Sequence, residues 1–195
     1  MIYTGEMLID DLSGDYSSPA CKLGRMVESG EIVRLKRDLY ETDPSTPPYL
    51  VANALYGPSY ISFEYALARL EIIPERVHVV TSATYDKHKT KRFDNPLGRF
   101  TYSDIPSAAF DVGVETWEED GRSYRIASAE KAVCDKLYKM PPTRSVEGLR
   151  EMMFDDLRFD ADTVEALDPP TIVMYADLYR STNIRTLVQF LEAVA

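Results

Sequence analysis

The sequence predicts an α+β fold, a minimal N-terminal winged helix-turn-helix followed by a larger α+β domain. Three observations carry this reading. Residues 17–40 combine a helix bearing one apolar and one basic face with an alternating segment that ends in Lys36-Arg37. A proline-rich stretch, Asp43-Pro44-Ser45-Thr46-Pro47-Pro48, resists both helix and sheet and marks a boundary. Beyond it, apolar residues at helical spacing alternate with short β-branched runs. With 195 residues and 45% apolar content the chain can bury a substantial core. The division expected is 1–43, a linker at 44–48, and a second domain over 49–195.

From the N-terminus, Thr4 is positioned to cap a short helix whose apolar side is Met7, Leu8 and Leu12, and Ser13-Gly14-Asp15 turns it. Ser18 can cap the next helix, and Pro19 suits its first position because the missing N–H would have no helical partner. Leu23, Met26 and Val27 recur at i, i+3, i+4 on one face; Lys22, Arg25 and Ser29 fall on another. Gly30 sits where a left-handed residue ends a helix, and residues 31–36 alternate as a strand does. Lys36-Arg37-Asp38 would form the wing tip, with Leu39-Tyr40-Glu41 returning. A basic helix followed by a basic hairpin is the arrangement with which winged helices read DNA. It assigns Lys22, Arg25 and Ser29 to groove contacts and Arg34, Lys36 and Arg37 to phosphate. An ordinary amphipathic helix with solvated lysines is the alternative.

Past the linker, residues 49–56 read as a short helix stopped by Gly57-Pro58. Phe63, Ala66, Leu67 and Leu70 mark a second helix, and 77–81 a strand in which His78 is expected to be buried. Residues 84–92 form a polar, basic loop, and Asn95-Pro96-Leu97-Gly98 turns a hairpin between Phe93 and residues 99–102. Tyr85, Lys87, Lys89, Lys91, Arg92 and Arg99 are candidates for phosphate or RNA contact, with Tyr85 available to stack on a base; solvated surface is the alternative. A turn at 118–121 leads into a strand at 123–127, and Ser128 caps a helix with Glu130 in its first turn and Ala132, Val133 and Leu137 buried. Pro141-Pro142 ends it. Three or four helices follow, the last striped by Ile184, Leu187, Val188 and Leu191.

Charge narrows the function classes. The net charge of −10 argues against a general nucleic-acid binder. Its distribution is uneven: residues 17–40 carry five Lys/Arg against three Asp/Glu, residues 85–102 five against two, and residues 103–195 ten against eighteen. Site-specific DNA contact fits that pattern better than loose binding. No apolar run approaches a membrane span and the first residues lack signal-peptide character, so a cytoplasmic location is expected. Cys21 and Cys134, with only His78 and His88 beside them, offer neither a disulfide framework nor a zinc spacing, and no cofactor motif is present. Asp160-Ala161-Asp162 is the single Asp-x-Asp and reads as a helix start, although with the 87–92 loop it supplies the parts of a metal-dependent nucleic-acid enzyme. No P-loop, Gly-x-Ser-x-Gly elbow or Asp/Glu-x-Lys occurs. Catalysis is not expected.

Four blocks resemble one family. RMVESGEIVRLKRDLY at 25–40, VANALYGPSYISFEYAL at 51–67, VTSATYDKHKTKRFDNPLGRFTY at 80–102 and RIASAEKAVCDKLY at 125–138 together resemble, in order, the AbiEi-type antitoxins of bacterial type IV toxin–antitoxin systems. The resemblance implies an N-terminal winged helix that represses its own operon by binding inverted repeats. It also implies an antitoxin domain, here residues 49–195, that opposes a nucleotidyltransferase-like toxin without a stable complex; the basic 85–102 segment is then a candidate antitoxin surface. Two positions depart from the pattern: Asp38 stands where glycine is expected in the wing, and Ala129 where proline is frequent. A protein or RNA interaction module whose degenerate winged helix no longer binds DNA is the rival reading.

Overall fold

A computed structural model describes residues 1–194 as a mixed α+β fold built on two sheets. The N-terminal unit runs β1 (Ile2–Thr4), α1 (Gly5–Ser13), α2 (Pro19–Glu28), β2 (Val33–Lys36), β3 (Leu39–Glu41). Its antiparallel sheet has the order β1-β3-β2. Strand β1 was not expected: three residues directly before a helix cap carry too little pattern to read, and they are extended because β3 pairs with them. Thr4 ends β1 and caps α1, its hydroxyl accepting from the Met7 N–H at 3.3 Å. Ser18 occupies the cap position of α2 with Pro19 behind it, but its hydroxyl makes no capping bond. Gly30 has φ +73°, the left-handed conformation that glycine adopts without a Cβ penalty, and the chain turns there into β2. Leu8, Leu23 and Ile32 form a small core beneath the two helices.

Asp38 explains its own departure from glycine. It has φ +60°, a conformation Asp tolerates better than most residues, and its Oδ1 accepts from the Gly5 N–H at 2.9 Å, at the positive end of α1. Its carboxylate therefore ties the hairpin to α1. Gly5 is its complement, because a Cβ there would lie 2.4 Å from Asp38 Oδ1. Asp38→Ala should cost about 1–2 kcal/mol, from the lost bond and the left-handed backbone, with Asp38→Gly losing less. Urea unfolding of both variants checks the order.

The larger sheet has the order β6-β7-β5-β4-β9-β8. After α3 (Tyr49–Leu55) come β4 (Tyr60–Ile61), α4 (Phe63–Arg69), β5 (Val79–Thr84), β6 (Lys91–Asn95), β7 (Gly98–Asp104), β8 (Val114–Glu119) and β9 (Arg122–Ala127). The pairings β6–β7, β4–β5 and β8–β9 are antiparallel; β5–β7 and β4–β9 are parallel. Helices α5 (Ala129–Lys139), α6 (Val146–Glu151), α7 (Ala161–Glu165), α8 (Pro169–Tyr179) and α9 (Thr182–Val194) follow, with a π-helical turn at Met152–Asp156. Ser128 and Asp160 cap α5 and α7 through the N–H groups of Lys131 and Thr163. His78 is a correction: the strand begins one residue later and the imidazole is exposed. No helix among the described residues is long and apolar enough to cross a membrane.

The proline-rich segment is not a free tether. Val33 and Leu35 of β2 belong to the core of the larger unit. Glu41, whose side chain is fully buried, receives both guanidinium nitrogens of Arg122 at 2.8 and 3.1 Å, and Arg122 also donates to Thr46 Oγ1 at 3.3 Å inside the segment. Asn95 Nδ2 donates to the Leu35 carbonyl at 3.1 Å. These bonds fasten β2 and β3 to the sheet beyond the linker.

Candidate nucleic-acid interface

Helix α2 presents Ala20, Cys21, Gly24, Arg25 and Glu28 to solvent. Of the three side chains expected in a groove, Arg25 is exposed and makes no ion pair among the described residues. Lys22 is half-buried, 3.8 Å from Glu31 Oε2 and 5.4 Å over the Tyr16 ring. Ser29 is exposed at the C-terminal cap, its hydroxyl donating to the Met26 carbonyl at 3.2 Å. The exposed Glu28, one turn after Arg25, puts a negative charge on the same face. On the hairpin, Arg34 and Arg37 are exposed. Lys36 is a correction: its ammonium donates to the Leu55 carbonyl at 2.6 Å, satisfying an otherwise open acceptor at the C-terminus of α3, where the helix dipole favours a cation. Three guanidinium groups, those of Arg25, Arg34 and Arg37, thus remain unpaired in this unit among the described residues. Arg34 also borders a groove of about 370 Å³ between α1, α2 and the hairpin, lined by Ile9, Leu23, Gly24 and Val27.

Strand alternation divides the second basic cluster between the two faces of the sheet. Arg92 lies opposite Thr101 and Asp94 opposite Arg99, so Arg92 and Arg99 share a face, where they line a cleft of about 430 Å³ with Val79 and Thr101. Lys91 and Phe93 share the other face with Phe100 and Tyr102. There Phe93, half-buried, packs against Tyr56 and Tyr102, its centroid 5.9 Å from each. The Lys91 ammonium stands 5.2 Å over the Phe93 ring and that of Lys87 5.7 Å over Tyr56. Lys89 is exposed. Tyr85 is half-buried and one side of its ring packs on Phe110, with centroids 4.5 Å apart. Tyr56 and Phe93, also half-buried, add aromatic surface beside it. In the sequence Tyr56 closes the 49–56 segment and Phe93 flanks the 95–98 turn, so both read as boundaries.

Asp104 fixes the loop that carries Lys87 and Lys89. Its carboxylate accepts from Thr84 Oγ1 at 2.6 Å, from the Lys87 N–H at 2.7 Å and from the His88 N–H. Burial alone would raise its pKa; the hydrogen bonds from Thr84 and the two backbone groups outweigh that and hold it below the usual range. Asp86 and His88 take positive φ within this anchored turn.

A polar network lies beneath the sheet. Lys131 and Asp135 of α5, one turn apart and fully buried, face each other at 3.6 Å. Asp135 accepts from Tyr60 at 2.8 Å, from Ser62 at 2.6 Å and from Tyr179; Lys131 donates to the Ala109 carbonyl and to Tyr179. Burial lowers the Lys131 pKa against the pull of Asp135, and burial together with the Asp135 charge raises those of Tyr60 and Tyr179. The neighbouring Cys134 is buried and its thiol pushed upward by desolvation, whereas Cys21 is exposed; both are free. These hydroxyls and charges satisfy one another away from solvent, which joins β4, α5 and α8. Asp160 is engaged as the cap of α7, accepting from both the N–H and the hydroxyl of Thr163. Comparison of the sequence with protein-family models and with curated proteins finds no match.

Proposed function

We propose that this chain is a DNA-binding repressor of its own operon that also acts as a type IV antitoxin against a nucleotidyltransferase-like toxin. The observation that supports the DNA-binding half is the order β1-α1-α2-β2-β3 closed by a β1-β3-β2 sheet, which we read as a winged helix-turn-helix, with Arg25 on its second helix and Arg34 and Arg37 on its hairpin all unpaired among the described residues. The antitoxin half is supported by the four-block resemblance, which runs through both units. In this reading Arg25 reaches a groove and Arg34 and Arg37 meet phosphate, while the toxin is opposed without a stable complex.

Two neutralised phosphates, those at Arg34 and Arg37, give a slope of about −1.8 for log K against log[salt] on a promoter fragment bearing the inverted repeats. Arg25→Ala/Arg37→Ala should weaken that binding at every salt concentration and, through Arg37, make the slope shallower by about 0.9. The same full-length variant should still relieve toxicity when co-expressed with the toxin. Undiminished promoter binding by the double variant would overturn the assignment. Point substitutions in the whole chain are the proper tools, because Val33 and Leu35 belong to the larger core and removing residues 1–48 would open it.

A second reading is favoured by the engaged ammonium of Lys36, the partnered Lys22 and the acidic Glu28 on α2. These leave a thin positive footprint, as an interaction module with a degenerate winged helix would have. That reading requires rescue from the toxin with no promoter shift at physiological salt.

A further inference from the structure

We infer that the patch formed by Tyr56, at the end of α3, and Phe93 of β6 binds single-stranded nucleic acid. The two half-buried rings lie 5.9 Å apart, and an ammonium stands over each, Lys87 over Tyr56 and Lys91 over Phe93. The Lys36 ammonium, 2.6 Å from the carbonyl of the residue before Tyr56, brings a third positive charge to the same place, and the exposed Lys89 a fourth. None of the four forms an ion pair among the described residues. On a chain of net charge −10, a cluster of lysines without acidic partners beside paired aromatic rings has a polyanion as its complement.

The rings decide which polyanion. An acidic peptide would use the lysines and leave the aromatic pair unexplained, and a duplex keeps its bases stacked on one another. An unpaired strand offers a base face to each ring, and the lysine that now covers the ring can swing on its flexible stem to the adjoining phosphate. Stacking of this kind does not read base identity, so the expected ligand is a single strand of RNA or DNA with little sequence preference. The surface lies on β6 and the end of α3, with Lys36 reaching it from β2, so it adjoins the hairpin that carries Arg34 and Arg37.

The test is fluorescence anisotropy with the full-length protein and labelled oligouridylate and oligothymidylate of about twelve nucleotides, against a duplex of equal length and a polyglutamate peptide. Binding of either single strand in preference to the duplex and the peptide supports the inference. Lys87→Gln/Lys91→Gln, at positions whose charge the fold does not use, should weaken that binding about tenfold and make its salt slope shallower by about 1.4. Phe93→Leu, which keeps an apolar side chain and removes the ring, should weaken it by about tenfold as well. Equal affinity of the double lysine variant and the parent, preference for the duplex or for polyglutamate, or binding to neither strand would overturn it.

Discussion

Asp135→Ala should destabilise the protein by about 3–5 kcal/mol in urea unfolding at neutral pH, a large share of the stability of a chain this size. The cause is what remains. Lys131 would keep its ammonium in a fully buried position with the Ala109 carbonyl and the Tyr179 hydroxyl as its partners, and the hydroxyls of Tyr60 and Ser62 would lose the acceptor they share. Lys131→Met should cost less, because Asp135 retains three hydroxyl donors. The pH dependence has a definite sign. Burial depresses the folded pKa of Lys131 below its unfolded value of 10.5, so the unfolded state binds more protons between the two and stability rises as pH climbs through that interval. Without Asp135 the opposing attraction is gone and the folded pKa falls further. The defect of the Asp135→Ala variant should therefore shrink from neutral toward alkaline pH, and a loss below about 1 kcal/mol at neutral pH would refute the network's role.

Arg122→Ala should cost about 2–4 kcal/mol, leaving the fully buried Glu41 carboxylate without its two guanidinium bonds and the proline-rich segment without its anchor at Thr46. Burial by itself raises the Glu41 pKa, but hydrogen bonds from Arg122 and the α-amino group of Met1 more than offset it, and the folded value lies below the ordinary 4.5. For a depressed carboxylate the stabilisation is present above the unfolded pKa and is lost as pH falls through the folded one. The parent should lose stability on acidification below pH 4.5, and the difference between parent and Arg122→Ala should narrow there. Paired denaturant titrations at neutral and acidic pH measure both effects. A constant difference across that range would mean that Arg122 acts through packing alone.

Elements with chemical punctuation were legible in the sequence. Thr4, Ser128 and Asp160 cap helices through side-chain bonds that local sequence can specify, and Pro19 and Gly30 bound α2 because each has a backbone preference of its own. The 95–98 hairpin is where its turn residues put it. What escaped was decided by partners distant in the chain. β1 is extended because β3 lies beside it, and β8, with three glutamates in six residues, because β9 does. The candidate surface shows the same division. Exposed arginines could be read from the spacing of Arg25, Arg34 and Arg37, whereas the engagement of Lys36 at α3, of Tyr85 at Phe110 and of Asp38 at α1 required the tertiary fold. The pairing of Lys131 with Asp135 was latent in their i, i+4 spacing. Nothing local announced that both would be buried.

Strand β4 has two residues, yet the sheet order makes it the joint between β6-β7-β5 on one side and β9-β8 on the other. Each of those halves contains an antiparallel hairpin that can zip from a short turn, whereas the parallel register of Ile61 with Ile126 requires closing a long loop. The junction at β4 is therefore expected to close late in assembly of the sheet. Two ladder residues give that junction little of its own, and the hydroxyls that Tyr60 and the adjoining Ser62 send to Asp135 act as its latch. The seam of the sheet and the charged pair of α5 thus share their hydrogen bonds, so that a lesion in the helix should be felt as a parting of the strands.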